Sequence, residues 1–111
     1  MAKSFVKAIV FTDVDASTFG AGFVPINPNG LEEACFLIRI INASNVTVSI
    51  SYDGVVAHDI LLPNNTLQLD FQSNSSPNGH IAWLRKGTVV YADSALAGVG
   101  AVVLVGYYQE I

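Results

Sequence analysis

The sequence predicts an all-β fold: a single-domain antiparallel β-sandwich of the jelly-roll type. Roughly seven to nine short segments are rich in β-branched and aromatic residues or alternate in polarity, and turn-forming residues separate them about every ten positions. No segment carries the helical periodicity that an alternating α/β fold requires. The chain of 111 residues is long enough for one core, so we predict one domain over residues 1–111.

The central pattern runs from residue 33 to residue 54. Residues 34–41 are almost continuously apolar, and we expect this strand to be covered on both faces. Residues 42–45 form a turn cluster, and residues 46–52 alternate as a partner strand with one face toward the core. On that strand the residues expected to face water are Thr47, Ser49 and Ser51. Asp53 and Gly54 then indicate a hairpin turn.

The other elements follow from the same signals. Residues 5–12 are predicted to form the first strand, residues 18–24 a weak strand, and residues 25–30 a loop whose prolines exclude regular pairing. Residues 31–33 carry the one hint of a helical turn. Residues 1–7 are too polar for the core and are predicted to be an N-terminal arm. The remaining predicted strands are 55–62, 66–72, 80–84, 88–92 and 101–108, with long loops at 73–79 and 93–100.

Composition narrows the class of protein. The chain is 51% hydrophobic and only 13% charged, which excludes disorder and predicts surface buried between subunits or partners. The net charge of −4, with scattered lysines and arginines, argues against nucleic acid as a partner. No apolar run approaches the ~20 residues of a membrane span, and residues 1–10 lack a signal peptide, so we expect no membrane partner and synthesis in the cytoplasm of the producing cell.

One cysteine excludes an intrachain disulfide. Cys35 lies inside the apolar strand, which predicts a buried structural thiol rather than a reactive one.

Asp13 and Asp15 follow an apolar strand as Asp-x-Asp, a pattern similar to the nucleophile motif of haloacid-dehalogenase-type phosphotransferases. That chemistry needs a doubly wound α/β domain with further residues from other strand ends. The all-β pattern here favours two acidic residues that end a strand in a solvated turn.

The other polar groups give no catalytic signal. His58, next to Asp59, and His80 have no metal-ligand spacing and no nucleophile-elbow sequence near them. Acid pairs of the kind that glycosidases use occur in any acidic chain; here they would come from Glu32, Glu33, Asp53, Asp59 and Asp70. We therefore predict no enzyme activity, no catalytic residue, no metal and no cofactor. The four Asn-x-Ser/Thr sequences, at Asn42, Asn45, Asn64 and Asn74, are interpreted as turn residues rather than glycosylation sites.

The pattern resembles small virion structural proteins of tailed bacteriophages. The residues that carry this resemblance are 36–44 (FLIRIINAS), 48–54 (VSISYDG), 67–74 (LQLDFQSN), 85–91 (RKGTVVY) and 105–108 (VGYY). In length and β content the chain is most similar to jelly-roll capsid decoration proteins, the staple or cement proteins of phages of the epsilon-fifteen type. This resemblance implies a non-enzymatic protein on the outer capsid surface, a homo-oligomer (dimer or trimer) that binds the major capsid protein and stabilises coat-subunit contacts.

Other functions remain open. Similar β proteins occur at phage necks, tails and fibres, and Trp83 beside Asn-rich loops is compatible with a carbohydrate-binding or receptor-binding sandwich, although a core position for Trp83 is favoured. For contacts with a partner we predict Lys3, Phe5, Tyr107 and Tyr108. The two tyrosines are neighbours in a strand, so they must point to opposite faces.

Overall fold

The computed structural model describes residues 5–70 and 84–110, with side chains for residues 6–70 and 84–108. Within these residues the chain forms nine β-strands and one short 3-10 turn at Ala16–Thr18. The strands are β1 (Phe5–Ala8), β2 (Thr12–Asp15), β3 (Val24–Pro25), β4 (Leu37–Ser44), β5 (Val48–Ser51), β6 (Asp59–Leu61), β7 (Thr66–Asp70), β8 (Tyr91–Asp93) and β9 (Gly100–Glu110).

The strands form two antiparallel sheets that pack as a sandwich. The first sheet has the order β1-β9-β4-β7, with β2 also paired to β9, and the second has the order β3-β8-β5-β6. Pairing is nested: β2 pairs with β9, β3 with β8, β4 with β7, and β5 with β6, alternately in the first and second sheets. The chain is thus one long two-stranded ribbon rolled into a sandwich, which is a jelly-roll topology. The predicted β-sandwich is confirmed.

The core lies between the sheets and is built from alternate residues of each strand. Ile38 and Ile40 of β4 and Leu104 of β9 are fully buried from the first sheet, and Val48 and Ile50 of β5 from the second. Each such side chain contributes about 1.5–3 kcal/mol by leaving water.

The predicted pairing of the two central strands is wrong. Strand β4 pairs with β7 and β9, whereas β5 lies in the opposite sheet beside β6 and β8. The residues between them form an arch from one sheet to the other. Strand β4 covers residues 37–44 rather than the predicted 34–41, because Asn42 and Ser44 continue it with buried side chains. The Ser44 hydroxyl donates to Asn42 Oδ1 and to the Val46 carbonyl in the arch.

The N-terminal edge of the first sheet is two strands rather than the single strand predicted over residues 5–12. Ala8 pairs with Tyr107 and Thr12 pairs with Leu104, so three residues on the edge face two on β9. That mismatch is a β-bulge. Of the predicted arm, residues 5–7 belong to β1, and residues 1–4 lie outside the described part.

Several element boundaries differ from the predictions. The predicted weak strand at 18–24 is replaced by the 3-10 turn, and Pro25 pairs with Tyr91 at the sheet edge, where its missing N–H costs no ladder bond. The predicted strands 55–62 and 88–92 shorten or shift to β6 and β8. Loop 73–79 and most of strand 80–84 lie outside the described residues.

Candidate functional site

The outer face of the first sheet is an apolar surface, which we call the β4–β9 face. Its members point away from the core and pair across the two strands: Leu37 with Tyr107, Arg39 with Val105, and Ile41 with Val103. All six are partly buried by their neighbours on the sheet. The apolar residues predicted on both sides of β4 are therefore present, and within this chain the core covers one side.

Arg39 lies in the middle of the β4–β9 face. One of its Nη atoms donates a hydrogen bond to the hydroxyl of Tyr107 at 3.0 Å, and the guanidinium lies 5.8 Å from the centre of that ring. This separation is within cation–π range. The Nε atom is enclosed and has no hydrogen-bond partner among the described residues. A buried donor without an acceptor costs about 1–3 kcal/mol.

The structure places the predicted contact residues at different depths. Tyr107 belongs to the β4–β9 face, while Tyr108 packs against the core cluster from the other side of β9. Phe5 begins β1 opposite Glu110, and Lys3 lies outside the described residues. Contact of these four residues with a partner stays a prediction.

A second apolar surface is formed by the β5–β6 hairpin, and we call it the β5–β6 tip. Its four large side chains, Val55, Val56, Ile60 and Leu62, are between 54% and 77% exposed. Strand β6 is the outer strand of the second sheet, so the tip continues along a sheet edge. An apolar edge is a surface on which proteins associate.

The carboxylate of Asp53 holds the tip in one shape. Its Oδ1 accepts the N–H groups of Val55 and Val56 at 2.8 and 3.1 Å and the hydroxyl of Ser51 at 3.0 Å. These bonds lower the pKa of Asp53 to about 2, with a smaller contribution from His58. The Asp53 carboxylate therefore fixes the backbone of the tip, while the side chains of Val55 and Val56 remain exposed to water.

Ser51 is fully buried, although the alternation predicts that it faces water. Its hydroxyl accepts the N–H of Gly54 at 2.9 Å. The ring of Tyr91 packs so closely on Gly54 that an added Cβ would lie 3.0 Å from it. The turn and this ring cover the outer side of β5, which a period-two pattern cannot show.

His58 takes part in local structure rather than in a nucleophilic arrangement. Its Nδ1 accepts the N–H of Tyr52 at 3.1 Å, and its Nε2 lies 3.8 Å from Asp53 Oδ2. Tyr52 donates its hydroxyl proton to Asp59 at 2.8 Å, and burial raises the pKa of this tyrosine. His80 lies outside the described residues.

Asp13 and Asp15 both belong to β2, so the prediction that the two acids end a strand in a turn holds only for Asp15, the last residue of β2. Asp13 pairs with Val103 and is exposed, and Asp15 caps the 3-10 turn by accepting the N–H of Ser17 at 2.9 Å, which lowers the pKa of Asp15. Among the described residues no group of three His, Cys, Asp or Glu side chains is arranged to hold a metal ion.

Cys35 is a buried free thiol, as predicted. Its Sγ donates to the Glu33 carbonyl at 3.4 Å, and its backbone forms an isolated bridge with Leu84. Burial, and then the Glu33 charge, raise its pKa to about 11, so the thiolate is disfavoured.

The Asn-x-Ser/Thr positions have different roles. Asn64 adopts a positive φ of 63° in the turn after β6, and Asn45 accepts the N–H of Val99 at 2.9 Å. Asn42 is instead a fully buried strand residue. Asn74 lies outside the described residues.

A small cavity of about 90 Å³ lies beside the bulge and is lined by residues that include Ile9, Thr12 and Asn27. The hydroxyl of Thr12 is buried without a hydrogen-bond partner in the described part of the chain. The cavity has room for a few water molecules.

The β5–β6 tip is not predicted by the sequence pattern. Val55 and Val56 have high β propensity, which predicts a strand over residues 55–62. The available signal was the Asp-Gly pair directly before them, which places the two valines in a loop.

Comparisons with known proteins identify no family for this chain. No protein-family model matches the sequence, and no curated protein matches it. Among the described residues no helix is long and apolar enough to cross a membrane.

Three solved structures align with most of this chain at TM-scores below 0.5. The extra small virus particle of the giant freshwater prawn Macrobrachium rosenbergii is 11% identical over 98% of this chain and 80% of that one, with a TM-score of 0.48. The Dit hub protein of phage SPP1 is 10% identical over 93% of this chain and 49% of that one, with a TM-score of 0.41. A pilus protein of Bacillus endospore appendages is 13% identical over 96% and 90%, with a TM-score of 0.44.

Proposed function

We propose that the chain is a non-enzymatic structural subunit of a tailed-bacteriophage virion that binds the outside of the capsid and stabilises contacts between coat subunits. The resemblance described from the sequence gives this assignment its class. The observation that supports it most directly is the β5–β6 tip, a preformed apolar projection at one edge of the sandwich.

The tip has the properties of a binding element. Val55 and Val56 are 77% and 57% exposed and gain about 25 cal/mol for each Å² of apolar surface that leaves water. Because Asp53 already fixes the loop, little conformational entropy is lost when the valines are buried. A partner surface for the tip is an uncharged apolar groove, which the junction between two coat subunits would provide.

Weak single contacts are sufficient for this function. On a shell that repeats its binding sites many times, linked or neighbouring copies raise the effective concentration of one another. The contribution to the shell is then binding energy across subunit boundaries, and no chemical step is required.

The experiment is co-sedimentation of the purified chain with empty coat shells of the phage that encodes it. The test variant is Val55→Ser combined with Val56→Ser, in which both side chains become polar without a change in the Asp53 network. The matched control is Leu96→Ser combined with Val99→Ser, because these side chains are 71% and 77% exposed in a different loop.

We expect the wild-type chain and the control to sediment with shells, and the tip variant to bind at least about ten-fold more weakly. Equal binding by the tip variant and the control would contradict a role for the tip. No binding of the wild-type chain to shells, together with binding to tail or neck assemblies or to glycans, would replace the capsid function with one of those alternatives.

A further inference from the structure

We propose that His58 is a pH-dependent switch beside the β5–β6 tip: when its imidazole takes up a proton, it leaves the Tyr52 N–H and donates a hydrogen bond to Asp53 Oδ2. The switch is contained in the β5–β6 hairpin, so the inference does not depend on what the tip binds. Histidine is the side chain that ordinarily changes its charge between about pH 5 and pH 8.

The hydrogen bond from Tyr52 determines which nitrogen of the neutral imidazole carries the proton. Nδ1 of His58 accepts the backbone N–H of Tyr52 at 3.1 Å, so this nitrogen must present a lone pair. The single ring proton of the neutral form is therefore on Nε2. The two rings also pack together, with their centres 5.5 Å apart and an angle of 31° between their planes.

Protonation makes this arrangement unfavourable. The second proton can be added only at Nδ1, which then becomes a donor that faces another donor, the Tyr52 N–H. This hydrogen bond lies in an exposed position, so a water molecule can replace the imidazole as the acceptor. The imidazolium can therefore turn away from Tyr52 without leaving a buried backbone group unsatisfied.

Asp53 supplies an acceptor for the displaced imidazolium. Its Oδ1 is engaged by the loop, whereas its Oδ2 accepts no hydrogen bond from the described residues. The Nε2 atom of His58 lies 3.8 Å from this Oδ2, about 1 Å beyond the length of a charge-assisted hydrogen bond. The His58 side chain is 40% exposed and has room to rotate, while its backbone N–H stays bonded to the Ile50 carbonyl at 2.8 Å.

The titratable side chains that surround the switch come from the hairpin and from β8. Asp53 has a pKa lowered to about 2 by its bonds to the loop, and burial raises the pKa of Tyr52. Asp59 accepts the Tyr52 hydroxyl, and Tyr91 of β8 packs on Gly54. Carboxyl groups ordinarily titrate below about pH 5 and tyrosines above about pH 9. A response between these limits therefore indicates a histidine.

The two states differ at the end of β5 and not at the tip. In both states Asp53 Oδ1 accepts the N–H groups of Val55 and Val56, so the apolar side chains of the tip keep their positions. The protonated state adds a bond from His58 to the same carboxylate and gives up the bond from Tyr52. The change is thus an exchange of one hydrogen bond for another rather than an opening of the hairpin.

The experiment is NMR on the full chain, labelled with 15N and 13C, at about pH 7.5 and about pH 5. A scalar coupling across the N–H···N bond between Tyr52 and His58 reports the first bond directly, and the Asp53 carboxyl carbon signal reports the second. The test variant is His58→Gln, in which the side chain no longer titrates. His80→Gln is the matched control, because the chain has only two histidines.

We expect the coupling at the higher pH and its loss at the lower pH, in the wild type and in the control. Over the same range the amide-exchange protection of Tyr52 should fall by at least about three-fold, while that of Val55 and Val56 stays constant. The Asp53 carboxyl signal should move together with the imidazole signals of His58. In His58→Gln the Tyr52 amide should not respond to pH.

Several results would overturn the inference. One is a coupling that persists after the imidazole is fully protonated, and another is a Tyr52 response that is equally large in His58→Gln. A constant Asp53 carboxyl signal would exclude Asp53 as the new acceptor. Loss of protection at Val55 and Val56 together with Tyr52 would show that the hairpin opens. The wild-type titration alone decides between exchange and opening, so the test does not depend on the folding of a variant.

Discussion

Replacing Asn42 by alanine tests how the two sheets are joined. Asn42 is fully buried at the end of β4, beside the arch that leads into β5. Its Nδ2 donates to the carbonyl oxygens of Val46 at 2.9 Å, Leu61 at 3.0 Å and Leu62 at 3.2 Å. Its Oδ1 accepts the N–H of Ser44 at 3.1 Å. One side chain therefore satisfies backbone groups of the arch and of the β6 end.

Alanine would leave these groups without a partner. Each lost hydrogen bond has a net value of about 0.5–1.5 kcal/mol, and each buried group left unsatisfied costs about 1–3 kcal/mol. Some of the carbonyls lie near solvent and can recruit water, so we expect a loss of about 3–5 kcal/mol in the free energy of unfolding. The total for a domain of this size is about 5–15 kcal/mol.

Urea unfolding followed by far-UV circular dichroism measures this loss, and thermal unfolding should show a Tm lower by about 12–20 °C. Asn45→Ala is the matched control, because Asn45 accepts a single exposed bond from the N–H of Val99. We expect the control to lose about 0.5–1 kcal/mol. A loss below about 1 kcal/mol for Asn42→Ala, or equal losses in the two variants, would refute the assigned role of Asn42.

Three further predictions concern the turn backbone, the tip and the thiol. Gly100→Ala should destabilise the fold far more than Gly22→Ala. Both glycines have a positive φ, 113° and 121°, which costs about 1–3 kcal/mol for alanine. Only at Gly100 would the added Cβ also overlap the Ala43 carbonyl oxygen. Comparable unfolding free energies would argue against this packing. The carboxyl pKa of Asp53, measured by NMR, should be about 2. Because this pKa lies below the value in the unfolded chain, the Asp53 carboxylate stabilises the tip above about pH 4. This stabilisation is lost as the pH falls toward 2. A value near 3.9 would show that the bonds to the loop are absent. Cys35, buried with a pKa raised to about 11, should react with a thiol reagent at pH 8 only at the rate of unfolding; rapid labelling of the native protein would contradict its buried position.

The fold class could be predicted because period-two alternation and frequent turns are local signals. Ile38 and Ile40 alternate with Leu37 and Ile41, and this pattern correctly indicated a strand with apolar residues on both sides. Residues 66–70 alternate in the same way and form β7 as predicted.

The pairing of strands could not be predicted from the same signals. Asn42 and Ser44 are typical turn residues, and their burial depends on contacts with β6, which lies far along the chain. The jelly-roll ribbon pairs β2 with β9, almost at opposite ends of the sequence, and no local pattern encodes such a contact.

The candidate surfaces were accessible to sequence analysis only in part. Tyr107 was identified from its neighbour, since one of two adjacent tyrosines must point outward. Arg39 was not identified as a residue of the β4–β9 face, because its position beside Val105 and its hydrogen bond to Tyr107 follow from the register. The exposure of Val55 and Val56 depends on a loop fixed by Asp53, whereas β propensity favours a strand there.

The central claim is that this chain is a structural subunit on the outside of a virion shell, and a cryo-EM reconstruction of the phage particle tests it most directly. The proposal predicts density for the sandwich on the outer capsid surface, with the β5–β6 tip against coat subunits. Density for the chain in the tail or neck, or none anywhere on the particle, would contradict it.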